Sequence, residues 1–331
     1  MTSANAEIHI NLIKAEYFIN ETEESCKENI SVLTSGKYML QKQFISHLEK
    51  ELTKHFSDTV TISGHHSIHG GDINETYTLE TNQAKYFLKV NDQKIGDDLF
   101  EKERKGLLLL RQADCIRTPL PLFNGKFEEK IFLLMEFISR GSPGKGMWNE
   151  FGESLATLHH QSAREFGLDH NNYLGSVPQS NHQHKTWAAF YGEERIMKLT
   201  AALRQMGLLE LRYEKAAVHL CSRLIDIFPD EDPSLLHGDL WGGNFMVDDL
   251  GKAVIFDPAV YFGHREMDLA MCRLFGGFDQ EFFEAYEYYY PLEKDYGKRV
   301  PVCQLYPLLI HLLLFGGHYH HDVIDILDPY Q

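Results

Sequence analysis

Basic charge is scarce in this chain: 32 Lys and Arg stand against 48 Asp and Glu, a formal net charge of −16. A surface this acidic repels polyanions at long range, which argues against a dedicated binder of nucleic acid or anionic membranes. It leaves room for a nucleotide, which needs only one Lys, backbone N–H groups and Mg²⁺ held by carboxylates. Cysteine is scarce too. Cys26, Cys115, Cys221, Cys272 and Cys303 are scattered, odd in number and never in C-x-x-C spacing. That excludes a disulfide framework and fits free thiols in a reducing, cytoplasmic setting. Long apolar runs are missing: the best helical candidate, Val302 to Phe315, is interrupted by Gln304 and His311 and is too short for a bilayer. The first residues lack a basic start followed by an apolar run, so no secretory leader is expected. There is no internal repeat and no low-complexity tract.

What is present is ample material for a core, with 43% hydrophobic residues in 331, and a length that suggests two domains. Residues 1–38 are polar without sustained periodicity and read as an N-terminal extension. Residues 39–138 read as a β-rich lobe. A helical pattern opens it at Met39, strands follow over Thr59–Ile68, Glu75–Glu80, Lys85–Val90 and Ile131–Phe137, and a helix to Gln112 opens near Asp97. Gly70–Asn74 reads as a turn and Asn124-Gly125 as a hairpin turn. Gly141-Ser142-Pro143-Gly144 marks a boundary, and residues 139–331 read as mainly helical, with Trp148, Phe151, Leu155 and Leu158 on one buried face.

The chemistry concentrates in His237-Gly238-Asp239-Leu240-Trp241-Gly242-Gly243-Asn244, followed by Phe256-Asp257-Pro258. This is the order and spacing of a kinase catalytic loop and its metal-binding Asp. Asp239 must reach the attacking hydroxyl; Asn244, one tight turn later, must face Mg²⁺. Apolar Phe245–Val247 and Ala253–Phe256 flank Asp248-Asp249-Leu250-Gly251, a hairpin that would return Asp257 to the same metal. Upstream, Lys89 sits in an apolar strand, where a Lys either snorkels or is paired. Glu103 shares a helix face with Phe100, Leu107 and Leu110 and is the expected partner; Glu101 is the fallback. Gly70 and Gly71 are either an ordinary turn or a phosphate-approaching loop. Glu136-Phe137 is either an ordinary strand end or an adenine-binding hinge. Asp268 near the start of a helix is either a cap or a brace. The run His318-Tyr319-His320-His321-Asp322 has no second ligand set of matching spacing and is not read as a metal site.

The assembled order resembles the aminoglycoside-phosphotransferase-like kinases, and within them the fructosamine/ketosamine kinase family. The residues that carry the likeness are HGDLWGGN at 237–244, FDPAVYFGHREMDLAM at 256–271, LFGGF at 274–278, YFLKVN at 86–91, FEKERKGL at 100–107, NNYLGSVPQ at 171–179, WAAFYGEERI at 187–196 and QLYPLL…HLLLFGG at 304–317. The resemblance implies an α+β, bilobal, protein-kinase-like fold. It implies ATP- and Mg²⁺-dependent phosphorylation of a sugar hydroxyl, typically O3, of ketosamines such as fructosamines or ribulosamines, free or protein-bound, by a monomer. In that frame Asp239 is the catalytic residue, and Asn244 and Asp257 are the metal ligands. Gly70, Gly71, Lys89, Glu103, Glu136 and Phe137 bind ATP, and His237 and Asp268 support the catalytic loop. Trp241, two residues after Asp239, either packs or offers a flat face to the acceptor. Some relatives carry a Cys in the Gly-rich loop; the neighbouring position here is Asp72, so a disulfide switch there is not implied. The rival readings are a kinase for an aminoglycoside or amino alcohol, and an ATP-binding pseudokinase scaffold.

Overall fold

The computed structural model describes residues 40–68 and 74–331; residues 1–38 and the Gly70-Gly71 turn lie outside the described residues. The described residues divide into two compact units, one of those from 40 to 100 with 121–137 and one of 101–120 and 138–331.

The first unit is built on a five-stranded antiparallel sheet of β1 (Ile62–Ile68), β2 (Glu75–Thr81), β3 (Lys85–Asp92), β4 (Pro121–Phe127) and β5 (Lys130–Glu136), in the order β1-β2-β3-β5-β4. Helix α1 (Lys42–Phe56) buries Phe44, Leu48 and Leu52, each four residues from the next and so on one stripe. They share a core with Tyr77, Leu79, Leu88, Val90, Phe132 and Leu134. Each such side chain contributes roughly 1.5–3 kcal/mol on burial. Because strand side chains alternate, Tyr86, Leu88 and Val90 take the α1 face and Phe87, Lys89 and Asn91 take the other. The β4–β5 turn falls at Glu128-Glu129, with Glu128 at φ +52°, and not at Asn124-Gly125 as the sequence suggests. Gly125 is needed inside β4 because any Cβ there would lie 2.7 Å from the Phe132 ring.

Helix α2 (Leu99–Ala113) runs across the division: from Glu101 onward it groups with the second unit. Leu110 and the following Ile116 belong to the same core as Phe151, Leu155, Leu235 and Ile255. The single boundary after residue 138 read from the sequence therefore differs from the observed division by this segment. Hydrophobic periodicity shows that a helix exists but not which core it buries into.

The second unit holds α3 (Met147–His159), the short hairpin β6 (Asn172–Leu174) and β7 (Val177–Gln179), and a long helix α4 over residues 187–205. The middle of α4, Tyr191–Met197, is a π-helix. Then come α5 (Leu211–Ile227), β8 (Ser234–Leu236), β9 (Phe245–Val247), β10 (Ala253–Ile255), β11 (Tyr261–Gly263), α6 (Glu266–Leu274), α7 (Gln280–Tyr289), α8 (Tyr296–Phe315) and α9 (His320–Leu327). Helix α8 starts before the Val302 expected from the sequence and is buried along most of its length, so it is a central strut. The two pieces β8 and β11 pair antiparallel directly before and after the catalytic-loop region. They clamp both ends of the segment that carries the site.

Candidate active site

Local geometry assembles the centre of the site. Asn244 N–H closes a tight turn on the Trp241 carbonyl at 2.9 Å. From there β9 pairs with β10 in the register Phe245↔Ile255 and Val247↔Ala253. Phe256 N–H donates to the Asn244 carbonyl at 3.1 Å, which brings the residue before Asp257 beside Asn244. The Asn244 amide nitrogen donates to the Asp239 carbonyl and to Asp239 Oδ2, both at 2.9 Å. That use of its nitrogen leaves the amide oxygen as the atom for another ligand. Asp257 adopts φ +57°, a left-handed conformation uncommon outside glycine. Strain of this kind collects at functional sites.

A second layer fixes the loop from below. Asp268, on α6, accepts from His237 N–H at 2.7 Å and from Gly238 N–H at 2.9 Å. It points back at the loop and does not cap its own helix. His159, on α3, lies 3.3 Å from Asp268 Oδ2 through Nε2, and its Nδ1 is 2.8 Å from the Tyr286 hydroxyl. Burial resists a charge on Asp268, yet the His159, His237 and Gly238 contacts outweigh it and hold the carboxyl below its ordinary value. Burial keeps His159 and His237 neutral, below the usual histidine value. His237 Nδ1 accepts from Asp239 N–H at 3.3 Å, so its Nε2 carries the proton and donates to the Phe256 carbonyl at 3.0 Å. One imidazole thus ties the residue at Asp239 to the residue before Asp257. Gly238 sits at φ +82°, and a Cβ there would lie 2.1 Å from the Ala259 carbonyl oxygen. No other residue fits that position.

The donor set fits a divalent cation. Burial, then the neighbouring Asp257 charge, pushes the Asp239 carboxyl up to about 7, although the Asn244 amide opposes the shift. The Asp257 charge lies close enough to the Asp239 carboxyl to raise it, and a cation beside them would offset these like charges. Hard oxygen donors of this kind are what Mg²⁺ takes.

The flanking motifs supply supports that the sequence reading did not single out. Asn172 donates to the Val260 carbonyl at 2.8 Å and Gln179 to the Ala259 carbonyl at 3.1 Å, so hairpin β6–β7 grips the chain just after Asp257-Pro258. Gln179 and Asn181 both donate to Asn172 Oδ1, at 2.8 Å each. The Tyr306 hydroxyl donates to Gln179 Oε1 at 2.8 Å, and Arg195, from the π-helical turn, donates to Asn181 Oδ1 at 2.7 Å. The Arg195 guanidinium also stacks 4.4 Å from the Tyr261 ring centre. The start of α6 is anchored by Arg265 on Glu231 at 2.8 Å, and by Arg299 on Glu266 at 2.6 and 2.8 Å. Asn172, Gln179, Arg195, Arg265, Glu266 and Tyr306 lie in the stretches that carry the family resemblance, but nothing in the sequence gave them this supporting role.

The remaining expected site residues are distributed as follows. Trp241 lies on the same loop as Asp239 and is 38% exposed. In the first unit, Lys89 is buried on the sheet face away from α1, between Thr76 of β2 and Leu133 of β5. Glu136 ends β5 opposite Tyr86, with Phe137 next. Glu103 is half-buried on α2. The fallback Glu101 is exposed and pairs with Lys105 at 2.6 Å. Among the described residues the group with metal-ligand spacing is His184, Glu193 and Glu194, not the late histidine run. Glu194 there already accepts from Ser180 and Lys198, so the group is a local ion-pair cluster.

Two buried histidines predict a pH dependence of stability. Burial lowers His159 and holds His264 down to about 3, although Asp268 and Glu231 respectively oppose the shift. A group lowered in the fold is protonated more readily when unfolded. Its contribution is therefore complete above the unfolded value, near 6.5, and is lost as pH falls from there toward the folded value. Each contributes a slope of up to about 1.4 kcal/mol per pH unit in that window. Urea unfolding at about pH 7 and about pH 5, run in an Asp239→Asn background so that this raised carboxyl does not offset the histidines, should show the loss; equal stability at both would count against the rings being held neutral.

Residues 44–330 match the model of the fructosamine kinase family. A probable ketoamine kinase of Enterococcus faecium is 38% identical over 263 residues, 79% of this chain and 93% of that protein. The chloroplastic protein-ribulosamine 3-kinase of Arabidopsis thaliana is 36% identical over 270 residues, 80% of this chain and 81% of that protein. The crystal structure of a protein of Haemophilus somnus 129PT assigned as a fructosamine-3-kinase superposes with a TM-score of 0.78 at 27% identity, covering 86% of this chain and 96% of that one. An aminoglycoside phosphotransferase solved with AMP-PNP and hygromycin B shares the fold, with a TM-score of 0.59 at 16% identity over 85% of this chain and 98% of that one. The α+β architecture is kinase-like, and the chain belongs to the fructosamine kinase family.

Proposed function

We propose that this protein transfers the γ-phosphoryl group of ATP to a sugar hydroxyl, O3, of a ketosamine, a deglycation-type reaction. The observation that carries the reading is the Asp239–Asn244 pair held by two 2.9 Å hydrogen bonds and delivered next to Asp257 by one hairpin. In a chain with ketoamine and ribulosamine kinases as relatives, that arrangement suits phosphoryl transfer to an alcohol.

Asp239 orients the acceptor hydroxyl and takes its proton; a carboxyl raised toward neutrality is well matched to that task. Asn244, through its amide oxygen, and Asp257 would hold Mg²⁺, which when bound neutralises charge on the phosphates. Lys89 contacts the α- and β-phosphates. The backbone at Glu136 and Phe137 receives adenine. Asp268 and His237 keep Asp239 and Asp257 in register. On this reading the first unit carries nucleotide-binding groups and the second carries catalysis and the acceptor. A monomer suffices, since Asp239, Trp241, Asn244, Asp257 and Asp268 all come from one unit of one chain. The ketosamine is free or carried on a protein. The free thiols Cys115, Cys221, Cys272 and Cys303 suit a reducing cytoplasmic setting, and no helix among the described residues is long and apolar enough to cross a membrane.

ATP consumption measured across synthetic ribulosamines, fructosamines, an aminoglycoside and choline tests the substrate class. Turnover on a ketosamine well above the others is expected; efficient transfer only to another alcohol rejects the ketosamine and keeps the kinase. Nucleotide binding without turnover on any acceptor would revive the scaffold reading. Trp241→Ala should raise the ketosamine KM and leave the ATP KM nearly unchanged. Loss of a stacked ring removes ~1–3 kcal/mol by analogy with base stacking, up to about a hundredfold in affinity. An equal rise in both constants would assign Trp241 to packing.

A further inference from the structure

Beyond Trp241 the second unit carries a row of rings that the proposed chemistry does not use. The Trp241 indole meets Phe275 edge-to-face at 5.8 Å between centroids. Phe275 lies 4.8 Å from His311, and His311 lies 5.5 Å from Phe315 and 5.0 Å from Tyr319. The row joins three separate pieces of chain: the catalytic loop, the Leu274–Phe278 loop and the C-terminal end of α8 with the turn beyond it. Trp241 is 38%, Phe275 36% and Phe315 49% exposed. A contiguous exposed aromatic surface that begins two residues from the proposed base calls for an occupant. His311 does not place a cation on the wall. Its Nδ1–H donates to the Pro307 carbonyl at 2.7 Å, and burial keeps the ring neutral.

We propose that this wall, Trp241–Phe275–His311–Phe315–Tyr319, is the subsite that reads the amine end of the acceptor, binding the secondary ammonium and the first carbons attached to it. The inference rests on the ketosamine reading above and deepens it. A ketosamine differs from a free ketose by a basic secondary amine at C1, which is protonated near neutral pH. Aromatic faces attract such a cation through the ring quadrupole, and most strongly when water is partly excluded. Their edges and faces also cover the alkyl carbons beside it. The neutral His311 leaves Nε2 available as an acceptor for an ammonium N–H. The net charge of −16 adds long-range attraction for a cationic substrate. The sugar end would lie toward Asp239 and the amine end along the rings toward Tyr319, so the wall sets which ketoses are accepted by what they carry at C1.

The test uses the full chain and two matched acceptors: the fructosamine of Nα-acetyl-lysine, and a fructose 1-O-alkyl ether of equal length in which oxygen replaces the ammonium. The parent should show a KM roughly five- to thirtyfold lower for the amine than for the ether, the range expected of a partly desolvated cation–π contact. Phe275→Leu and Phe315→Leu keep apolar area and remove the ring face. They should raise the amine KM severalfold and leave the ether KM and the ATP KM nearly unchanged. Phe315 is half-exposed, so its replacement leaves the fold in place even if Phe275→Leu does not. Equal KM values for amine and ether in the parent, or losses in the variants that are the same for both, would overturn the ammonium assignment while leaving the kinase reading intact. No turnover of either acceptor by the parent would instead reject the ketosamine reading on which it rests.

Discussion

Asp239→Asn will bind nucleotide as the parent does and turn over acceptor about 10²–10⁴ times more slowly, the loss typical of a removed general base. The substitution is nearly isosteric, so the loop should hold its shape. The backbone carbonyl of residue 239 still accepts from Asn244, and its N–H still meets His237 Nδ1. One amide oxygen remains to accept the Asn244 amide; what disappears is the carboxylate charge and the second oxygen, which would receive the acceptor's proton. Isothermal titration with an ATP analogue, run beside steady-state ADP release on a ketosamine, separates the two quantities. A variant within a few-fold of the parent rate would remove Asp239 from the mechanism.

Asp268→Ala is expected to destabilise the fold by about 3–5 kcal/mol, because it strands buried donors around a lost charge. The donors are the backbone N–H groups of His237 and Gly238 and the ring of His159. The His237 and His159 donors have no water to turn to, since both residues and Asp268 are almost fully buried. A loss of that size is a large part of the ordinary 5–15 kcal/mol of a folded domain, taken as an order of magnitude. Asp268→Asn should recover little of it. One amide oxygen can accept from one backbone N–H, but the amide nitrogen then faces the other donor. Urea unfolding curves of the parent and both variants measure the effect. Parent-like midpoints for Asp268→Ala would show that the carboxylate orders the loop without holding the fold together.

The legible part of the site was its local part. Asp239, Asn244 and Asp257 sit within nineteen positions, and their geometry follows from one tight turn and one short hairpin. Strand alternation likewise sends Lys89 away from Tyr86, Leu88 and Val90. Local rules also misled where a residue type has more than one use. Asn124-Gly125 carries a turn signature, yet the glycine serves the close approach of Phe132 and the turn moves to Glu128-Glu129. Asp268 has the position of a helix cap, yet its partners lie thirty residues back in the chain.

By itself the sequence determined the kinase-like order of motifs, the existence of a strand-rich lobe with its helices, and the acidic, cysteine-poor character of the chain. These depend on spacing, periodicity and composition, which a single chain displays in one dimension. Only the tertiary structure decided which distant side chains support the loop: His159 and Tyr286 behind Asp268, the hairpin Asn172–Gln179 on Ala259 and Val260, and Tyr306 and Arg195 behind that hairpin. It alone joined Trp241 to Phe275, His311, Phe315 and Tyr319 in one row. Such contacts are set by how helices α3, α4, α6 and α8 pack. A buried polar group must find its partner wherever packing brings one, and no local pattern in the chain encodes that meeting.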